Sequence, residues 1–173
     1  MKTPLVIQAI QFASEKHKGQ VRRGSGLPYV THPIIVSEFI RKYKGNSINI
    51  ESLICAAILH DTLEDTDTNY HEIESLFGTL VASLVFELTS DEIAIQKMGK
   101  NEYLMQKMVT MSSYGLVCKL CDRLSNLIDE PTDKYLEDAR EMLKYIYKNR
   151  ADITETQKDI MLDIYKVLES KGF

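Results

Sequence analysis

Residues 58–65 read "ILHDTLED": an apolar run passes directly into one imidazole and three carboxylates. Upstream, Leu53-Ile54-Cys55-Ala56-Ala57 extends the apolar run. From Ile50 to His60 the apolar residues cover more than one face, which predicts a fully buried helix. Ionisable groups at the end of such a helix are costly unless they are paired or hold a metal. On a helix, His60 and Glu64 are i, i+4, Asp61 and Glu64 are i, i+3, and Asp61 and Asp65 are i, i+4, so these side chains share a face. Like charges gathered there repel, and a cation relieves them.

Helical periodicity continues on both sides. Leu5, Ala9, Phe12 and Ala13 form a stripe after a Thr3-Pro4 start, and Gly19 closes that helix. A Gly/Pro loop, "VRRGSGLPYV", leads to a helix predicted over 31–44 and a turn at Gly45-Asn46-Ser47. Beyond "EDTDTN", Thr68 or Asn69 caps a short helix to Phe77-Gly78. Leu80, Val81, Leu84, Val85 and Leu88 mark the next one. Further helices are expected over about 101–111, 114–127 and 134–148. A last one carries Ile160, Met161, Ile164, Tyr165 and Leu168. No segment alternates like a strand, and no repeat or long linker divides the chain. The expected fold is all-α, a compact single-domain bundle of about eight helices over residues 1–173.

Composition narrows the function. The chain has 173 residues, 44% apolar and 27% charged, with a net charge of −4. That is ordinary for a globular protein and argues against a broad nucleic-acid footprint. No apolar run approaches the ~20 residues that cross a bilayer, and the amphipathic start carries Glu15, unlike a signal peptide. The location expected is cytoplasmic, with no membrane partner. The cysteines Cys55, Cys118 and Cys121 supply no disulfide framework and read as small core residues. Positive charge is concentrated at Lys18, Arg22 and Arg23, which suits an anionic small substrate.

Two further segments share the anomaly of "ILHDTLED". His32 lies among apolar residues in "YVTHPIIV", and Asp122 flanks an apolar face in "GLVCKLCDRLSNL". Singly, each has an ordinary explanation: His32 as a core or capping histidine, Asp122 as a partner of Lys119 or Arg123, Glu64 and Asp65 as an acidic helix end. Together, two histidines and two aspartates from separate helices form a mixed imidazole and carboxylate set. Such a set suits Mn²⁺, Fe²⁺ or Zn²⁺. His17 reads as a helix-end structural residue and His71 as a surface one.

From about Phe12 to Asp129 the chain resembles the HD-domain metal phosphohydrolases, and among them the (p)ppGpp hydrolase branch of the RelA/SpoT family. The stretches that carry the resemblance are "HKGQVRRGSGLPYVTHP", "AAILHDTLEDT", "FGTLVASLVFELTSD" and "LVCKLCDRLSNL". The resemblance implies an HD-domain architecture and one divalent ion, Mn²⁺ or another, held by His32, His60, Asp61 and Asp122. It implies that Glu64 and Asp65 serve the attacking water. Arg22 and Arg23, with Lys18 as a weaker candidate, would meet the substrate's phosphates, and Asn126 would contact the nucleotide near its ribose. The implied partner is a small nucleotide, and the implied reaction is hydrolysis of the 3′-pyrophosphate of (p)ppGpp to GDP or GTP and pyrophosphate. The chain departs from the family pattern at Arg22-Arg23, in a slightly longer following loop, at Leu88-Thr89-Ser90-Asp91, at Cys121 and at Ser125. Two other readings stay open: an HD-fold phosphatase for another nucleotide, such as a nucleoside phosphate or NADPH, and a nucleotide-binding module without catalysis.

Overall fold

The computed structural model describes residues 3–173, and every regular element among them is an α-helix. Eight helices have ten or more residues: Leu5–Lys16 (α1), Thr31–Lys44 (α2), Ile50–Leu59 (α3), Thr79–Leu88 (α6), Lys100–Thr110 (α8), Ser113–Ile128 (α9), Asp133–Asn149 (α10) and Glu155–Ser170 (α11). Three are shorter: Thr62–Asp65 (α4), Tyr70–Phe77 (α5) and Glu92–Met98 (α7). The only bridge among the described residues is an isolated antiparallel one between Val21 and Pro28. None of their helices is long and apolar enough to cross a membrane. The chain divides into two compact units, one running to Thr89 and one from Ser90 to Phe173.

In the first unit α3 is the central element, packed against α1, α2 and α6. Every residue from Leu53 to Leu59 is buried, as the all-round apolar pattern requires. Ala56 and Ala57 present only methyl groups there, and small side chains at a helix contact allow close approach of the axes. The helix expected to run through His60 stops at Leu59. The reason is local: His60 Nδ1–H donates to the Ala57 carbonyl at 2.7 Å and Thr62 Oγ1 donates to the Leu59 carbonyl at 2.7 Å. Side chains thus take acceptors that a helix end leaves without amide partners. One turn restarts as α4.

Other boundaries follow from caps. Asn69 Oδ1 accepts the Glu72 amide at 3.1 Å and starts α5, deciding between the two caps expected, Thr68 and Asn69. Gly78, at φ +88°, turns α5 directly into α6, a backbone state that glycine alone adopts without strain. Leu80, expected on the buried stripe of α6, is 39% exposed, whereas Val81, Leu84, Val85 and Leu88 are buried. Lys16 pairs with Asp67 at 3.0 Å and Glu72 at 3.3 Å, tying the end of α1 to the acidic segment before α5.

In the second unit α9 packs on α11 and α10, and α10 on α8. Ser112, Thr132 and Thr154 cap α9, α10 and α11, the last in a reciprocal capping box with Gln157. α7 was not anticipated. It buries no residue, so it has no apolar stripe to read, and it is started by Asp91, whose carboxylate accepts the Ile93 and Ala94 amides. Cys55 in the first unit and Cys118 and Cys121 in the second are all buried and unbridged, as core residues should be. Burial pushes the Cys55 thiol up to about 12.

The C-terminal end of α8 is closed by a distant residue. Arg150, 7% exposed, donates through Nη1 to the carbonyls of Met108, Val109 and Met111 at 3.1, 3.2 and 2.7 Å. Arg150→Ala removes charge-assisted donors from three carbonyls at once. It should lower unfolding free energy by about 2–3 kcal/mol, read as a shifted urea midpoint at unchanged slope.

Candidate metal centre

The break after α3 sets the geometry of the first unit's polar cluster. His60 is the C-cap residue of α3 and His32 lies in the first turn of α2; they are 3% and 2% exposed. Their rings lie 5.2 Å apart. Asp61 Oδ2 lies 2.9 Å from His60 Nε2 and 3.8 Å from His32 Nε2, and it accepts the Tyr29 hydroxyl at 2.6 Å. Two imidazole nitrogens therefore face one oxygen of the Asp61 carboxylate.

The hydrogen-bond pattern fixes what the cluster can hold. A carbonyl only accepts, so His60 Nδ1 bears the proton donated to Ala57. In the neutral ring Nε2 then carries a lone pair, and it faces Asp61 Oδ2 at 2.9 Å. Two acceptors that close need a positive charge between them, either a proton or a metal ion. A ligating histidine characteristically donates its other ring N–H to a carbonyl or carboxylate, which is the arrangement His60 has. The donor set and its orientation fit a divalent cation.

Glu64 and Asp65 lie on α4, one turn beyond Asp61, and both are exposed. Although the residue as a whole is exposed, desolvation of its carboxyl by neighbouring atoms holds Asp65 above its ordinary 3.8, with repulsion from Asp61 and Glu64 adding to it and His17 and His60 opposing it. The Asp65 carbonyl accepts Gln20 Nε2 at 3.0 Å, and Gln20 Oε1 meets His17 Nδ1 at 2.8 Å. His17 is buried at the C-cap of α1, a helix-end residue; His71 is on the surface beside Glu74 at 3.6 Å.

The basic loop leaves from the same neighbourhood. Arg22 N donates to the Leu27 carbonyl at 2.8 Å, and Gly26 N to the Arg22 carbonyl at 3.0 Å, folding the loop back on itself. Arg22 is half-buried and Arg23 exposed. Lys18 is an exposed partner of Glu15 at 3.4 Å.

In the second unit Asp122 is buried, like His32 and His60, and offers a carboxylate oxygen of the kind a divalent ion takes. The pairing read as the ordinary alternative is present: Lys119 Nζ lies 2.9 Å from Asp122 Oδ2. Asn126 Nδ2 donates to Asp122 Oδ1 at 2.7 Å, so Asn126 orients that carboxylate. Arg123 goes elsewhere. Its guanidinium lies 4.7 Å over the Tyr135 ring, and the two line a cavity of about 700 Å³ with Lys100, Asn101, Lys134 and Asp138. Burial raises the Tyr135 hydroxyl's pKa, against the pull of Arg123. The sequence reading passed over Tyr29, weighed Arg123 only as a pairing partner of Asp122, and passed over Tyr135. A signal existed for the first two, since Tyr29 lies inside "PYVTHP" and Arg123 next to Asp122. Tyr135 has none, being one aromatic among helix-periodic residues.

The HD domain family profile matches residues 9–148. The guanosine-3′,5′-bis(diphosphate) 3′-pyrophosphohydrolase MESH1 of Danio rerio is 32% identical over 173 aligned residues, covering 93% of this chain and 94% of that protein. Its Homo sapiens counterpart is 31% identical over 167 residues, covering 90% and 92%. A solved structure, a metazoan ortholog of SpoT described as hydrolysing ppGpp and playing a role in starvation responses, superposes with a TM-score of 0.79 at 28% identity. It covers 99% of this chain and 98% of that one. A Listeria monocytogenes EGD-e protein shares the fold, with a TM-score of 0.61 at 19% identity over 85% of this chain and 99% of that one.

The raised Asp65 carboxyl has a consequence for stability. The folded chain keeps this proton to higher pH than the unfolded chain, so Asp65 costs stability progressively as pH rises above 3.8 through its folded value. Asp65→Asn removes that cost, and the metal-free variant should melt higher than wild type at pH 7 but not at pH 3, measured by calorimetry.

Proposed function

The chain belongs to the HD-domain family, and from that premise we propose that it hydrolyses (p)ppGpp-like alarmones, releasing the 3′-pyrophosphate and leaving GDP or GTP. The observation that carries the reading is the meeting of His32 and His60 at one oxygen of the Asp61 carboxylate. It occurs in a chain that aligns almost end to end with pyrophosphohydrolases. The match to the HD domain runs across residues 9–148, which supports treating residues 1–173 as one HD phosphohydrolase domain. A cytoplasmic place of action goes with a free nucleotide substrate.

We assign metal ligation to His32, His60, Asp61 and Asp122, and the ion to Mn²⁺, which accepts both imidazole and carboxylate donors. A divalent cation supplies charge neutralisation for the phosphates and an acidified water. The protein's own groups do the rest. Glu64, with Asp65 beside it, accepts the proton of the water that attacks the phosphorus on the 3′ oxygen. Arg22 and Arg23 hold the pyrophosphate through their planar guanidinium forks, with Lys18 as an outlying charge. Asn126 keeps Asp122 turned and contacts the nucleotide near its ribose. The Arg123 and Tyr135 cavity, cationic and aromatic, is suited to another part of a polyanionic nucleotide. The P–O bond to the 3′ oxygen breaks, that oxygen takes up a proton from solvent, and pyrophosphate and GDP or GTP are released.

Purified protein incubated with ppGpp, ppApp and NADPH, with and without Mn²⁺, tests the reading by product identity. Pyrophosphate and GDP from ppGpp are expected only with metal; orthophosphate from NADPH alone would replace this substrate with another. Asp61→Ala or Asp122→Ala should abolish turnover and reduce bound metal, and full activity in either would refute the ligand set. Glu64→Gln should slow kcat with metal content unchanged. Replacing Arg22 and Arg23 together by Ala should raise KM for ppGpp, measured by initial rates.

A further inference from the structure

We propose that Tyr29 is a positioning residue for the metal ligand Asp61, its hydroxyl holding Oδ2 toward the two histidines; the inference rests on the ligand assignment above. Asp61 occupies the N-cap position of α4, where an aspartate ordinarily bonds the backbone amides of the first turn. Here its side chain makes no capping bond. The carboxylate is instead drawn to the Tyr29 hydroxyl at 2.6 Å, and the oxygen that accepts this bond is the one facing His60 Nε2 and His32 Nε2.

Tyr29 is itself fixed from several directions. Its ring lies 4.7 Å from the buried His17 ring and 5.9 Å from that of His32. Its amide donates to the Gln20 carbonyl at 2.9 Å, and its carbonyl accepts the His32 amide at 2.9 Å. One turn of backbone thus sets both His32 and the donor that aims Asp61. The same residue closes the base of the loop that carries Arg22 and Arg23. An ordinary polar contact would need none of this convergence on a single carboxylate oxygen. Groups that orient a ligating side chain in this way commonly change metal affinity about 10–100-fold when removed.

The test compares wild type, Y29F, D61A and a surface control, Y147F, as metal-free full-length proteins. Mn²⁺ affinity is measured by calorimetry, and the visible spectrum of the Co²⁺-loaded forms reports the coordination itself. Y29F keeps the ring and its packing, so its circular dichroism should match wild type. It should bind Mn²⁺ about 10–100-fold more weakly with an altered Co²⁺ spectrum, while Y147F behaves as wild type. If D61A loses metal but Y29F equals wild type in affinity and spectrum, this inference alone fails. If D61A binds metal like wild type, the ligand assignment fails and this inference with it. Should Y29F not fold, the unmodified chain decides. The Tyr29 hydroxyl proton, bonded to a carboxylate, gives a slowly exchanging downfield NMR resonance; its persistence in the Zn²⁺-loaded protein supports the inference, and its loss overturns it.

Discussion

Everything at the centre of the first unit depends on how a buried helix is allowed to end. The last carbonyls of α3 lie in an apolar surround, where an unpaired acceptor costs free energy of the order of a lost hydrogen bond. His60 and Thr62 meet that need with side-chain donors to Ala57 and Leu59. Once His60 spends Nδ1–H on the backbone, its tautomer and ring plane are set. Nε2 is left as the group aimed at Asp61. Helix termination and the orientation of the His60 ring are a single event.

The segment that follows this helix end gathers several carboxylates. Asp61, Glu64, Asp65 and Asp67 fall within one short segment, and Asp65 already resists ionisation. The surrounding structure holds this segment from outside. Lys16 holds Asp67 and Glu72, Gln20 holds the Asp65 backbone, and Tyr29 holds Asp61. Each restraint comes from α1 or from the loop after it, so the basic loop and the acidic segment share one frame. Violations of local preference that are supported from elsewhere in the fold are characteristic of functional sites.

The second unit solves a different problem, that of keeping charge inside a helix contact. α9 buries Asp122, Arg123 and Ser125 together with its apolar residues. Asp122 is compensated by Lys119 and Asn126, and Arg123 by the Tyr135 ring and the Met142 sulfur at 3.4 Å. Both charges are thereby held in defined orientations, and α10, which supplies Tyr135 and Met142, is fixed by the same contacts as the cavity it lines.

The amino-acid order by itself determined the all-α class, the long helices, most caps and the suspicion that His32, His60, Asp61 and Asp122 do not belong to an ordinary core. These are short-range properties: a 3.6-residue period, a cap three residues from its amide, a histidine among apolar neighbours. The period carries no information at α7, which buries nothing, and it misplaces Leu80, which the stripe assigns inward and the fold leaves 39% exposed. Only the tertiary structure decided that Tyr29 reaches Asp61 across 32 residues and that Arg123 turns to Tyr135 instead of Asp122. Such contacts join positions whose separation along the chain bears no relation to their distance in space. The choice among competing partners is made by packing, which no local pattern encodes.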